Sequence, residues 1–305
     1  MTDHVIHMHD VHKAFGQHQV IDGLSLDVPA QSIFAFLGNN GEGKSTVIRM
    51  ITGLLRADSG EITVLGLDVR RERKAILAQI GTIVDAPSLY PNLNATEFLR
   101  IGCIIKELPR TEIGRVLDLV GLNGTGGRLV GKFSLGMKQR LAIAHALLGA
   151  PRLLILDEPT NGLDPEGMRD IRTLLKSLPG LAGTSVFVSS HNLDEVEKMA
   201  SHMAVLKGGK IRMQAPIAEL LARQAGALAL EVGDAVRAEQ LLNGAAYQVE
   251  RTGDGQLKVS VERHHADRVH ALLVHAGVKL YQSVYHTPSL EQWFLEEPHG
   301  QAAAG

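Results

Sequence analysis

The chain has 305 residues, of which 45% are hydrophobic and 4% aromatic, with a formal net charge of −2 and one cysteine. This length and composition suit one large domain or two modest ones and exclude global disorder. The nearly neutral charge and few aromatic residues argue against a nucleic-acid partner, and one cysteine excludes an internal disulfide framework. No apolar run reaches the roughly 18 residues that a membrane span needs, and no signal-peptide pattern is present, so we expect membrane association only through another chain.

The chain begins with two predicted strands, Val5–Phe15 and Val20–Val28, on either side of a polar turn. Residues 38–46 follow and read GNNGEGKST, which matches the pattern G-x-x-x-x-G-K-[ST]. An apolar run precedes this segment and a helical pattern follows it. The sequence therefore predicts a strand, a phosphate-binding loop and a helix whose N-terminus favours anions. This flanking pattern disfavours the alternative, a glycine-rich turn that binds nothing.

In such a loop the backbone N–H groups surround the phosphates, the lysine reaches the β- and γ-phosphates, and the next hydroxyl ligates Mg²⁺. The sequence thus predicts a bound nucleoside triphosphate and Mg²⁺, with Lys44 as a catalytic cation and Ser45 as a metal ligand. The predicted nucleotide-binding residues of the loop are Gly38, Asn39, Asn40, Gly41, Glu42, Gly43, Lys44, Ser45 and Thr46.

The middle of the chain contains a predicted helical insertion. Residues 94–149 alternate helical patterns with glycine-containing turns, so we expect a helical subdomain at about residues 92–149. The preceding loop carries an apolar tip, Leu89–Pro91. This tip either binds a partner protein or packs against the helical subdomain.

Two short apolar runs further along the chain end in polar residues. Leu153–Leu156 ends at Asp157 and Glu158, and Ser185–Ser190 ends at His191. Unalternating runs separated by helices are typical of strands in a parallel sheet that is covered on both faces, and ligands bind at the carboxyl ends of such strands. We therefore expect the acid pair and the histidine to meet the lysine around one triphosphate.

The C-terminal part reads strand, helix, strand, strand, helix, strand, which is the βαββαβ order of ferredoxin-like domains. We predict a nucleotide-binding domain at residues 1–222, a small α+β domain at residues 228–297 and a disordered tail at residues 298–305.

Taken in order, the motifs between Val5 and about Met213 resemble those of the ATP-binding subunit of an ABC transporter. Residues 153–160, LLILDEPT, match the Walker B strand and its following glutamate. Residues 161–165, NGLDP, match the D-loop, and residues 133–140, FSLGMKQR, stand at the signature sequence. The resemblance implies an α/β fold of the P-loop NTPase type, with a parallel core sheet, an antiparallel β subdomain and a helical insertion.

The resemblance also implies roles for individual side chains. Asp157 would bind Mg²⁺ through its water shell, and Glu158 would polarise or deprotonate the attacking water. His191 would hydrogen-bond the γ-phosphate, and Phe15 would stack on adenine. The alternatives are an ordinary strand end for the acid pair, a structural histidine and a core phenylalanine.

A dimer is a further implication. Ser134 and Gly136 begin a helix whose N-terminus is a second anion site. In the resembled family these residues would contact the γ-phosphate held by the other subunit of a homodimer, and Asp164 of the D-loop is also assigned to nucleotide binding. The alternative for Ser134 is a helix N-cap with no ligand.

Four features depart from the common family pattern: Asn39 and Glu42 in the phosphate loop, a signature with Leu135 and Met137, and Asp85 in place of the Q-loop glutamine. We expect the negative side chain of Glu42 to point to solvent. An acid at the Q-loop position is similar to subunits of the bacitracin and lantibiotic type, and the signature resembles drug exporters. Asp85 either ligates Mg²⁺ or repels the γ-phosphate, and we assign it to the metal site.

The sequence thus predicts an ATPase subunit at the cytoplasmic face of the cell membrane, which drives a separate permease that exports an antibiotic, peptide, drug or lipid-like cargo. Because the permease forms the substrate pathway, the sequence does not specify the cargo. Two alternatives stay open. One is a soluble ABC-type ATPase, although the chain has neither heptads nor a second phosphate loop. The other is a regulatory nucleotide sensor whose C-terminal domain binds a ligand.

Overall fold

The computed structural model describes residues 4–84, 88–222, 226–287 and 289–291. The chain divides into two compact units, the first running to Ile217 and the second beginning at Ala218.

The first unit contains the strands β1 (His4–Phe15), β2 (His18–Pro29), β3 (Ile33–Leu37), β4 (Ser59–Val64), β5 (Leu67–Asp68), β6 (Ile80–Ile83), β7 (Leu153–Leu156), β8 (Ser185–Ser190), β9 (His202–Lys207) and β10 (Lys210–Pro216). Its helices are α1 (Lys44–Ile51), α2 (Arg73–Leu77), α3 (Ala95–Ile105), α4 (Thr111–Leu119), α5 (Leu135–Ala146), α6 (Pro165–Ala182) and α7 (Leu193–Met199). A further helix, α8 (Ile217–Ala222), starts at the division between the units.

The first sheet is antiparallel, with the order β2-β1-β4-β5. Along β1 the buried Ile6 and Met8 alternate with the exposed His7 and His9. This two-residue period lets one face of the sheet pack on the core while the other faces water. The predicted antiparallel β subdomain is present.

The second sheet has the order β10-β9-β3-β8-β7-β6. Strands β3, β6, β7, β8 and β9 run parallel, and β10 is antiparallel to β9. All residues of β3, β7 and β8 are buried, because α-helices and the antiparallel sheet pack against the central strands. The order places β8 between β3 and β7. The segments that follow these three strands therefore meet at one edge of the sheet, as the sequence predicted.

Residues 88–149 contain α3, α4 and α5, and among the described residues here the only β pairing is an isolated bridge between Asn94 and Leu129. A capping box starts α3: Asn94 Oδ1 accepts the N–H of Glu97 at 3.0 Å, and the Glu97 carboxylate accepts the N–H of Asn94 at 2.9 Å. Cys103 lies in α3 and is buried.

The second unit contains β11 (Ala227–Val232), α9 (Ala235–Gly244), β12 (Gln248–Gly253), β13 (Gln256–Ser260), α10 (Ala266–His275) and β14 (Leu280–His286). The sheet order is β12-β13-β11-β14, and all three pairings are antiparallel. The buried core joins Leu230 and Val259 of the sheet to Leu242 and Val269 of the helices. The predicted βαββαβ order is therefore observed, while the predicted tail at residues 298–305 lies outside the described residues.

In the part of the chain that the structure describes, no helix combines the length and apolar character that crossing a bilayer requires.

Candidate active site

The phosphate loop joins β3 to α1, and its backbone shape depends on glycine. Gly41 and Gly43 have φ values of 86° and 102°, a region that side-chain-bearing residues rarely adopt. A Cβ on Gly43 would also lie 2.9 Å from Ile21 Cδ1 and 3.0 Å from Val20 Cγ1. The loop can therefore lie close against β2 only with glycine at this position. It borders a cavity of about 660 Å³, which residues 39–41 and 43–46 line together with Asp157 and Glu158.

Lys44 is the cation of this cavity, and its side chain is only 7% exposed. Its Nζ donates a hydrogen bond to Gly38 O at 2.7 Å and lies 3.1 Å from Glu158 Oε1. A buried ammonium requires such partners because desolvation is costly. The loop carbonyl and the carboxylate thus hold one positive charge at the N-terminal end of α1.

Both carboxylate oxygens of Asp157 accept a hydroxyl. Ser45 Oγ donates to Oδ2 at 2.7 Å, and Ser189 Oγ donates to Oδ1 at 2.5 Å. Ser189 also accepts the N–H of Glu158 at 2.9 Å. A hydroxyl beside an oriented carboxylate is an all-oxygen donor set, which is what Mg²⁺ prefers. The residues present therefore fit the expected metal.

Glu158 differs from Asp157 in its surroundings. One oxygen, Oε2, is paired with His191 Nδ1 at 2.8 Å. The other, Oε1, is buried and accepts no hydrogen bond among the described residues, although the ammonium of Lys44 lies nearby. The backbone of Glu158 has φ 47°, a strained value for a residue with a side chain. A carboxylate that a histidine orients at the wall of the cavity is suited to accept a proton.

The lysine, the acid pair and the histidine, which are distant in the chain, are therefore brought together by the structure. Sequence reasoning missed Ser189, which donates to the Asp157 carboxylate and accepts the backbone N–H of Glu158. Its signal was a serine near the end of the run SVFVSS, which ends at this site. Sequence reasoning also missed His18 and Val20 of β2, which line the same cavity.

Phe15 is not among the residues that line this cavity, although it lies at the end of β1. Its ring is exposed, and the Nζ of Lys13 lies 5.5 Å from the ring centroid. Lys13 also binds Asp58 at 2.7 Å, and that hydrogen bond lowers the pKa of the Asp58 carboxyl, with a smaller contribution from the N–H of Ala14. The structure thus excludes a buried core position for Phe15, and adenine stacking stays a prediction.

Ser134, Gly136 and Asp164, the predicted nucleotide contacts of the signature and the D-loop, line a different cavity of about 370 Å³. Both polar side chains cap helices in this chain. Ser134 Oγ accepts the N–H of Met137 at 3.2 Å, and Asp164 Oδ1 accepts the N–H of Gly167 at 2.9 Å. The N-cap interpretation of Ser134 is therefore correct within one chain, and contact with a second subunit's nucleotide stays a prediction.

Two of the unusual residues have different outcomes. The prediction that the Glu42 side chain points to solvent is wrong: it is half-buried, and Oε2 accepts the N–H of Gly208 at 2.6 Å. The reason is that the β9–β10 turn, which the sequence analysis did not predict, lies beside the loop. Asp85 lies outside the described residues, so its assignment to the metal stays a prediction.

Comparisons with known proteins agree with this geometry. A family model described as "ABC transporter" matches residues 21–161. The bacitracin transport ATP-binding protein BcrA of Bacillus licheniformis is 39% identical over 297 residues, covering 96% of each chain. The daunorubicin resistance ATP-binding protein DrrA3 of Streptomyces coeruleorubidus is 31% identical over 97% of this chain and 96% of its own. A crystal structure of the ADP conformation of an ATP-binding cassette has a TM-score of 0.65 and 26% identity, covering 73% of this chain and 96% of that one.

Proposed function

Because this chain belongs to the family of ABC transporter ATP-binding proteins, which hydrolyse ATP, we propose that it powers a separate permease by hydrolysing MgATP in the cavity beside Lys44. The convergence of Lys44, Glu158 and His191 carries this proposal. The family resemblance inferred from the motifs and the predicted α/β fold are both confirmed by the comparisons.

In the proposed reaction, backbone N–H groups of residues 39–46 bind the phosphates and Lys44 neutralises the β- and γ-phosphate oxygens. Glu158 accepts the proton of the attacking water while oxygen bonds to the γ-phosphorus, and ADP leaves. His191 keeps the Glu158 carboxylate turned towards that water. Mg²⁺ held near Ser45 and Asp157, with Asp85 as a further candidate ligand, would neutralise charge on the transferring phosphoryl group.

A homodimer is part of the proposal. The cavity beside Ser134, Gly136 and Asp164 opens at the N-terminal end of α5, which offers backbone N–H groups to an anion. Closure of a second copy over that end would place the γ-phosphate between two chains. Its hydrolysis would remove the shared charge and loosen the dimer.

The permease is proposed to bind an apolar groove of the first unit. Leu89, Tyr90, Phe98 and Ile105 are among the residues that line it. Tyr90 and Ile105 are exposed, and such a patch marks a protein interaction site. Membrane association at the cytoplasmic face would then come through the permease. The similarity to a bacitracin transport protein and a daunorubicin resistance protein favours an antibiotic or drug-like cargo moved outwards.

The decisive experiment measures phosphate release by the chain alone and with a candidate permease, purified together in nanodiscs. Copurification and ATPase stimulation by the candidate cargo support the proposal. ATP hydrolysis without any permease association would favour a soluble ATPase, and nucleotide binding without turnover would favour the sensor hypothesis.

A further inference from the structure

The carboxylate of Glu42 joins the phosphate loop to a turn that is distant in sequence. Glu42 lies between Gly41 and Gly43, and its Oε2 accepts the N–H of Gly208 at 2.6 Å. Gly208 and Gly209 connect β9 to β10 with φ values of 59° and 73°. A hydrogen bond to an ionised acceptor is about twice as strong as a neutral one, and this one lies on the exposed side of the loop.

The same turn is fixed on its other side to β2. The N–H of Asp22 donates to Gly209 O at 2.9 Å, and Lys210 Nζ lies 3.0 Å from Asp22 Oδ2. A Cβ on Gly209 would come within 2.6 Å of Val20 O, so the backbones are in direct contact there. The turn is therefore held between β2 and the phosphate loop.

Strand β2 also contacts the phosphate loop directly. Val20 lines the candidate ATP cavity, and Val20 and Ile21 lie against the position where Gly43 would carry a Cβ. Glu42 itself is not among the residues that line this cavity. Its carboxylate thus acts on the position of the loop through Gly208 and does not face the ligand.

We propose that Glu42 is a positioning residue, which holds the phosphate loop against the β9–β10 turn so that the loop N–H groups and Lys44 are arranged before ATP arrives. The inference rests on the proposed nucleotide site. Ordering a flexible loop costs conformational entropy. Because this loop is already ordered in the folded protein, ATP binding does not incur that cost. The Gly208 N–H also offsets a negative charge that would otherwise weaken binding of a polyphosphate nearby.

Three substitutions separate the effect of the hydrogen bond to Gly208 from the effect of the negative charge of Glu42. Glu42→Gln keeps an acceptor oxygen and removes the charge, Glu42→Ala removes both, and Glu42→Asp keeps the charge on a side chain one methylene shorter. We expect calorimetry to show MgATP bound about 5- to 10-fold more weakly by Glu42→Ala than by Glu42→Gln, the size expected for one lost hydrogen bond. Glu42→Asp should bind more weakly than the unsubstituted chain. The loss should appear in the dissociation constant and the KM for MgATP more than in kcat, since Glu42 acts on the position of the loop and not on the reacting atoms.

Equal MgATP affinity of folded Glu42→Ala and Glu42→Gln overturns the proposal, and so does an effect confined to kcat. Thermal unfolding of each variant checks folding, and Glu42→Asp against the unsubstituted chain replaces the pair if Glu42→Ala does not fold. Lys44→Ala separates the two levels of inference. If the unsubstituted chain binds no MgATP, the proposed nucleotide site is wrong. If Lys44→Ala loses binding but the Glu42 variants bind like the unsubstituted chain, the nucleotide site stands and only the positioning role of Glu42 is rejected.

Discussion

The Nζ of Lys44 and the Oε1 of Glu158 lie 3.1 Å apart, and His191 holds the other carboxylate oxygen of Glu158. The candidate phosphate-binding cation and the candidate base are therefore one electrostatic unit. Replacing either residue changes the surroundings of the other, so variants at Lys44 or Glu158 need controls for both.

Glu158→Gln keeps the shape of the side chain but removes its basicity. We expect MgATP binding to persist while phosphate release slows by about 10²- to 10⁴-fold, the usual contribution of a general base. Because ATP stays bound, we also expect a dimer to accumulate, which size-exclusion chromatography would detect. Glu61→Gln, at an exposed position of β4, is the control and should behave like the unsubstituted chain. Unslowed hydrolysis in Glu158→Gln would refute the base assignment.

Lys44→Ala removes the cation of the cavity. We expect MgATP affinity in calorimetry to fall about 10- to 100-fold, because a buried charge contact to the phosphates is lost. The substitution also leaves Glu158 without its neighbouring cation, so thermal unfolding should be measured on the same samples. Lys44→Arg keeps the charge and should retain more affinity than Lys44→Ala. An unchanged dissociation constant in Lys44→Ala would remove the phosphate-loop claim.

Ser189→Ala tests the hydroxyl that joins the Asp157 carboxylate to the backbone of Glu158. It leaves Asp157 Oδ1 and the N–H of Glu158 without this hydroxyl, and we expect a loss of about 1–3 kcal/mol in the free energy of unfolding. Turnover should fall and the Mg²⁺ concentration for half-maximal activity should rise.

The matched control is Ser185→Ala on the same strand, since the Ser185 hydroxyl accepts the N–H of Gln31 at 2.8 Å. It should destabilise the chain without changing the Mg²⁺ dependence. The same Mg²⁺ dependence in both variants would mean that Ser189 has only a structural role.

His145 makes stability depend on pH. Burial, and then the positive charge of Lys106, lowers the pKa of His145 from its usual 6.5. The unfolded chain therefore binds more protons than the folded one below about pH 6.5, so the free energy of unfolding falls as the pH drops through this region and is fully retained above it. Urea unfolding between pH 7.5 and 5 should show this slope, and His145→Gln should flatten it. An equal slope in both proteins would contradict this account.

Ile105→Glu tests the proposed permease groove. Ile105 is 75% exposed, and a charge there should abolish copurification with the permease and ATPase stimulation while basal hydrolysis persists. Leu181→Glu is a matched control, because Leu181 is 74% exposed on α6 and does not line the groove. Loss of the permease in both variants, or in neither, would argue against this docking site.

Much of this architecture was predictable because local pattern and tertiary context agree. The loop at residues 38–46 combines glycine spacing with an apolar strand before it, and Asp157 ends a run that is buried on both faces. The βαββαβ order also followed from period-two strands and short turns in the second unit.

The elements that escaped prediction depend on contacts between distant segments. The strands β9 and β10 went unrecognised because no functional motif follows them, yet their turn supplies the partner of Glu42. The sequence indicates only that Ser189 belongs to a strand, and its contact with Asp157 is visible only in the structure. Such pairings join residues that lie more than 30 positions apart, so a window of about 11 to 18 residues, the length used to detect periodicity, does not contain both partners.

Cys103 gives the chain a practical property. It is the only cysteine, it is 2% exposed, and burial raises the pKa of its thiol, so it is a poor nucleophile. Wild-type protein should therefore react slowly with maleimides, and a cysteine introduced on the surface becomes the single labelling site without any removal step. Fluorophores or spin labels attached in this way can report the distance between two copies during turnover in an otherwise native background.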